Sequence, residues 1–184
     1  MEHKPIYPEI RPENVALPKG QDLAGWLNSR IARYETRSLD WHALKFQAYY
    51  DQKYRRAQMR YIGTGGTGVE GDDNAVPAEH FTFSTMVLPA GCEGPLHLHT
   101  DAEEVFFVLR GNLMVFVEDE KGRRVTRNLG PWECISCPAG VIHGYQNESV
   151  EPVYFQVMLG RGRPETMGYA DDNLYKRRDA HLKA

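Results

Sequence analysis

His97 and His99 are separated by one residue, and on a β-strand side chains two positions apart point to the same face. Both imidazoles can therefore aim at one point. Two carboxylates, Glu103 and Glu104, follow closely, and a third candidate imidazole, His143, lies further on. Adjacent strand residues face opposite ways, so only one of the two glutamates can meet the histidines. Imidazoles together with a carboxylate make a mixed nitrogen and oxygen site suited to a divalent first-row metal. The spacing points to metal chemistry on a β scaffold.

Gly91 to Gly111 fits the pattern G-x5-H-x-H-x4-E-x6-G at every fixed position, and Pro138 to Asn147 fits P-x-G-x2-H-x3-N. In these two segments the chain resembles the cupin superfamily, in its small single-domain metal-binding form. One departure stands out: Trp132 occupies the position where the second motif usually opens with glycine, and Glu133 follows where aspartate is common. The resemblance implies that His97, His99, Glu104 and His143 hold the metal, which chooses Glu104 over Glu103. It also implies a double-stranded β-helix, the cupin or jelly-roll barrel.

Composition narrows the classes. The chain has 184 residues, a hydrophobic fraction of 41% and a formal net charge of −3. That suits one packed domain with extensions and argues against a general nucleic-acid or membrane-surface binder. No apolar run is long enough to span a bilayer, and the polar, proline-punctuated start lacks the apolar core of a signal peptide, so a cytoplasmic protein is expected. The three cysteines, Cys92, Cys134 and Cys137, do not form a secreted disulfide framework. Cys134 and Cys137 make a C-x-x-C pair without a second pair, and they read as buried thiols that behave as small hydrophobes.

The positioning elements follow from periodicity and turn chemistry. Residues 1–60 read as a proline-rich arm followed by helices packed on a barrel. Asp22 caps a first helix with Leu23, Trp26, Leu27, Ile31 and Tyr34 at helical spacing, and a second runs from about Asp40 towards Met59. Its Lys53-Tyr-Arg55-Arg56 reads as a solvated helical face, and His42 as a surface or core histidine. Residues 61–79 hold Gly63-Thr-Gly65-Gly66-Thr-Gly68, followed by an acidic, turn-like segment where a phosphate-binding loop needs a helix, and read as a mobile surface loop or lid. Residues 80–160 carry turn signals every eight to twelve residues, giving an all-β barrel with helical extensions. Residues 161–184 form a charged, partly helical tail.

With Glu104 inward, Phe106 and Val108 share its face, and Phe83 and Phe155 join them as expected lining of a substrate pocket. Tyr145 shares the face of His143. Glu104 and Tyr145 are the expected catalytic residues, with Tyr145 as a proton donor. The ligand set is compatible with Fe(II), Mn, Ni, Co or Zn. Similarity to small cupins favours Fe(II) and a dioxygenase acting on a small aromatic or enolisable oxygenated substrate. A cupin isomerase, epimerase or lyase, or a non-catalytic small-molecule binder, uses the same ligands. No basic helix-turn-helix is present, which demotes regulation. A homodimer is expected, since a small barrel must cover its edge strands.

Overall fold

The computed structural model describes residue 20 and residues 22–65, 67, 75–165 and 167–182. Residues 1–19 of the proline-rich arm, and residues 66 and 68–74 of the glycine-rich loop, lie outside the described residues. Residues 1–31 and 32–184 are separate compact units. The first contains α1 (Leu23–Ser29), capped by Asp22, whose carboxylate accepts the Gly25 N–H. The periodicity predicted a longer helix; it stops at Ser29, and Tyr34–Thr36 form a separate 3-10 turn.

The second unit is built on two five-stranded antiparallel sheets. Its strands are β1 (Ala57–Ile62), β2 (Thr82–Leu88), β3 (Glu93–Leu98), β4 (Glu104–Arg110) and β5 (Leu113–Glu118). They continue as β6 (Arg124–Leu129), β7 (Cys134–Cys137), β8 (Ile142–Gln146), β9 (Val153–Leu159) and β10 (Gly168–Tyr169). One sheet has the order β1-β2-β9-β4-β7 and the other β10-β3-β8-β5-β6. The two are the walls of a jelly-roll barrel, and the strands between Thr82 and Leu159 lie where alternation and turn chemistry place them.

The inward residues of each strand interlock. Phe106 pairs with Val157 and Val108 with Phe155 across β4 and β9, while Met86 pairs with Phe155 across β2 and β9. These residues, with Leu88, Leu113, Val115, Tyr145 and Val153, form the main buried cluster. At close packing density, burying such side chains contributes about 1.5–3 kcal/mol each before chain entropy is counted. Tyr145 fits only because glycine faces it: a Cβ on Gly94 would sit 2.3 Å from the Tyr145 Cζ.

The helical expectation for residues 40–59 needs correction. Only α2 (Lys45–Tyr50) is α-helical; Gln52–Tyr54 form a 3-10 turn, and the chain then enters β1. Asp51 ends α2 in an extended conformation and its side chain accepts the Lys53 N–H, so the helix cannot continue. α3 (Asp172–Leu182) packs on α2, with Leu174 buried among Leu44, Phe46 and Met167. Among the described residues, no helix is long and apolar enough to cross a membrane.

Candidate metal centre

β3, β4 and β8 position the site. His97 pairs with His143 across β3 and β8, so the two imidazoles project from neighbouring strands on one face. Glu104 opens β4 in the opposite sheet and points inward between them. Glu103, one residue earlier, is exposed and accepts a hydrogen bond from the Ser136 hydroxyl, as alternation requires. His97, His99, Glu104 and His143 are only 4%, 2%, 5% and 1% exposed.

Three imidazole nitrogens surround one oxygen. His143 Nε2 lies 2.8 Å, His97 Nε2 3.1 Å and His99 Nε2 3.3 Å from Glu104 Oε2. The donor atoms of His97, Glu104 and His143 all fall within 4.8 Å of one another, and His99 approaches from outside that triad. Its Nε2 is close to the carboxylate, yet neither ring nitrogen of His99 makes a hydrogen bond.

The second nitrogen of the other two rings settles their tautomers. His97 Nδ1 lies 2.7 Å from the Pro95 carbonyl and His143 Nδ1 2.8 Å from the Val141 carbonyl. A carbonyl only accepts, so both Nδ1 atoms carry protons. The neutral rings then turn Nε2 lone pairs towards the lone pairs of Glu104. Such a cluster is relieved by an extra proton or by a cation between the rings and the carboxylate. Burial pushes His97 below its ordinary pKa despite the attraction of Glu104. Burial acts the same way on His143, but the hydrogen bond its protonated ring would donate to the Glu104 carboxylate outweighs it and raises that ring. Burial alone would raise Glu104; the close approach of the His143, His97 and His99 imidazoles overcomes it and holds the carboxyl well below its usual range.

The residues present fit a divalent ion. Their donors are the nitrogen and oxygen types such ions take, two rings are oriented by backbone carbonyls, and His99 is an orphaned buried imidazole beside the carboxylate. Cys137 pairs with Glu104 across β7 and β4, but burial pushes its thiol up to about 12, away from the thiolate a metal would need.

The other expected site residues divide. Phe106, Val108 and Phe155 lie in the interior. Phe83 does not: it alternates with inward Ser84, is half-buried on the opposite face of β2 and meets Tyr61 at 6.0 Å. Tyr145 shares the interior, with its ring edge-on to Phe106 and Phe155, but its hydroxyl donates to Met86 Sδ at 3.1 Å. Burial raises that phenol to about 12. Asn147 is structural: its amide donates to the Leu88 and Glu151 carbonyls and ties the β8–β9 turn to β2.

Cys134 is exposed, correcting the expectation of buried thiols, while Cys137 is buried; β7 alternation separates the pair. His42 is exposed, as a surface histidine. Arg56 is neither helical nor solvated: it leads into β1 and is 5% exposed. Sequence reasoning missed it because its neighbours Lys53 and Arg55 are exposed and make the run look uniformly wet.

The family model described as "Cupin domain" matches residues 84–159. Dimethylsulfoniopropionate lyase DddQ of Ruegeria pomeroyi is 28% identical over 96 residues, 52% of this chain and 44% of that protein. A probable germin-like protein, subfamily 2 member 5, of Arabidopsis thaliana is 34% identical over 58 residues, 32% of this chain and 27% of that protein. The chain thus spans less than half the length of either curated relative. The crystal structure of the Ruegeria pomeroyi lyase superposes with a TM-score of 0.57 at 20% identity, covering 74% of this chain and 62% of that one. The strand order, the paired histidines of β3 and β8, and the family match lead to one conclusion: residues 84–159 of this chain, which include His97, His99, Glu104 and His143, match a cupin domain.

Proposed function

We propose that this protein is a metal-dependent cupin enzyme of the dioxygenase type, with His97, His99, Glu104 and His143 holding Fe(II), acting on a small aromatic or enolisable oxygenated substrate. The observation that carries the metal-dependent reading is the set of three imidazole Nε2 atoms around one buried oxygen of Glu104. A divalent ion held there would supply Lewis acidity, and iron would add the redox chemistry that dioxygen requires; Mn, Ni, Co and Zn suit the same donors.

The chain's own residues have separable tasks. The Pro95 and Val141 carbonyls fix the rings of His97 and His143 with Nε2 facing the centre. Glu104 stays ionised and offsets positive charge at the site. Phe106 and Phe155 close the interior with apolar surface and exclude water. To act as a proton donor, Tyr145 must first release Met86 Sδ, so its role is tested separately from the ligands.

A lyase is the second reading, favoured because the relative matched over 96 residues is a lyase. The two readings separate cleanly. Metal-free protein is reconstituted with Fe(II) or with Zn(II) and assayed against catechols, hydroxyacids, β-diketones and dimethylsulfoniopropionate, under air and under argon. Dioxygen uptake with Fe(II) that stops under argon is the expected result. Turnover that persists under argon with Zn(II) would reject the dioxygenase and support the lyase.

A further inference from the structure

Arg56 is buried with its charge uncompensated. Its Nη1 donates to the Tyr54 carbonyl at 3.1 Å, its Nε has no partner, and no carboxylate among the described residues pairs with it. A guanidinium cannot shed its proton to escape burial, so the positive charge stays. An unpaired buried charge is strongly unfavourable, and an anion that reaches it would be held firmly.

The location ties this charge to the metal centre. Lys53, three residues earlier, forms an ion pair with Glu93 of β3 at 3.0 Å. Tyr54 lines one groove with Pro95, Leu96 and Ala170, so the approach to β1 lies against β3 and the end of β10. Those strands carry His97 and, opposite it in register, Tyr169. The Arg56 charge acts on the phenols of both Tyr145 and Tyr169, and the Glu104 charge also acts on Tyr145.

Two buried glutamines lie on the adjoining elements, Gln58 in β1 and Gln47 in α2. Gln58, the next residue on the same face of the chain, donates through Nε2 to Ser84 Oγ at 2.9 Å and leaves Oε1 unpartnered. Gln47 donates through Nε2 to the Tyr169 hydroxyl and also leaves Oε1 unpartnered. Either amide can turn over and keep its hydroxyl partner, because the Ser84 and Tyr169 hydroxyls can each donate to Oε1 instead; Gln47 gives up only its long contact to Met167 Sδ at 3.9 Å. The turned amide then offers an N–H to an incoming anion.

We propose that Arg56, with Gln47 and Gln58, forms a carboxylate-binding subsite beside the metal centre, and that the substrate is a small carboxylic acid. This rests on the metal-dependent reading for where the remaining oxygen atoms of the substrate go. The guanidinium fork suits two parallel hydrogen bonds to one carboxylate.

The test uses malonate as probe and malonamide as its uncharged counterpart, titrated calorimetrically into metal-free and Zn(II)-loaded protein. Malonate is expected to bind metal-free wild type, Arg56→Met to weaken it at least tenfold, Arg56→Lys to weaken it less, and malonamide not to compete. Without ligand, Arg56→Met is expected to melt no lower than wild type, since it removes an unpaired buried charge. Equal malonate affinity in wild type and Arg56→Met, or no malonate binding to wild type, would overturn the subsite. A lower melting temperature for Arg56→Met would mark Arg56 as structural and count against it as well. Zinc content of the double variant His99→Ala/His143→Ala is measured in parallel: if zinc is retained, the metal reading falls, while the metal-free titration still decides Arg56.

Discussion

The interior of this barrel holds two buried charges that are treated in opposite ways. Glu104 is surrounded by three imidazoles, two of them fixed from behind by backbone carbonyls. Arg56 has a single backbone acceptor and an Nε without a partner, and Gln47 and Gln58 each leave a buried oxygen unpaired. A protein that needed only stability would replace either group with apolar side chains, since well-packed hydrophobes often match or exceed a buried ion pair. The contrast is therefore chemical. One region is organised around a position for a cation, and the other has a surplus of positive charge and unspent hydrogen bonds.

The largest effect comes from dismantling the histidine region. Removing a metal-ligating side chain costs more than removing an outer partner, which typically lowers affinity by 10- to 100-fold. His143→Ala and Glu104→Gln are each expected to weaken binding by at least about 100-fold on that scale. Elemental analysis of protein purified without a histidine tag gives the readout. If the metal survived the loss of any two of His97, His99, Glu104 and His143, the region would have some other purpose and the comparison would collapse.

A smaller effect is expected at Tyr145, whose phenol feels both charges. An alanine at Gly94 would place its Cβ 2.3 Å from the Tyr145 Cζ, and the ring is hemmed in by Phe106 and Phe155. Gly94→Ala should therefore destabilise the fold by about 1–3 kcal/mol, the usual range for overpacking a core. Urea denaturation measures it. An unchanged midpoint would show that Tyr145 is free to move, and would make it a better candidate for a mobile proton donor.

How much of this was legible in the sequence depends on what each residue's neighbours say about it. The strands from β2 to β9 announce themselves through alternation and turns, and His97 and His99 through their spacing, while Glu104 over Glu103, and the full set with His143, came from the resemblance to the cupin motifs. β1 stayed hidden because an edge strand whose inward residues include Gln58 lacks the apolar alternation that marks a half-buried strand. β10 spans only Gly168–Tyr169, too short for any periodicity. The face of Phe83 was misjudged because its register against β9 is set by tertiary pairing, not by its own composition. Trp132 is the reverse case. The sequence marks it as a departure, and the backbone keeps the left-handed turn with φ 71°, leaving the indole 78% exposed against Phe107. A non-glycine residue there carries roughly 1–2 kcal/mol of strain.

The smallest effect concerns the other arginine of β1, which shows what ordinary pairing looks like. Arg60 meets Asp40 at 3.0 Å, with the Asp40 side chain 27% exposed. Burial would raise the Asp40 carboxyl, but hydrogen bonds from the His42 N–H, the Arg60 guanidinium and the Ala43 N–H outweigh it and lower it from 3.8. A carboxyl depressed in the folded state contributes stability above its unfolded value, and that contribution is lost as pH falls through the folded value. Asp40→Asn keeps an acceptor for the two backbone N–H groups and removes only the charge. It should cost about 0.5–1 kcal/mol at neutral pH, the scale of a partly exposed pair. The gap between Asp40→Asn and wild type should close below pH 3.8 as the wild-type carboxylate takes up its proton. Denaturation midpoints at several pH values supply the check. A gap that persisted well below the folded value would mean that Asp40 acts through geometry and not charge.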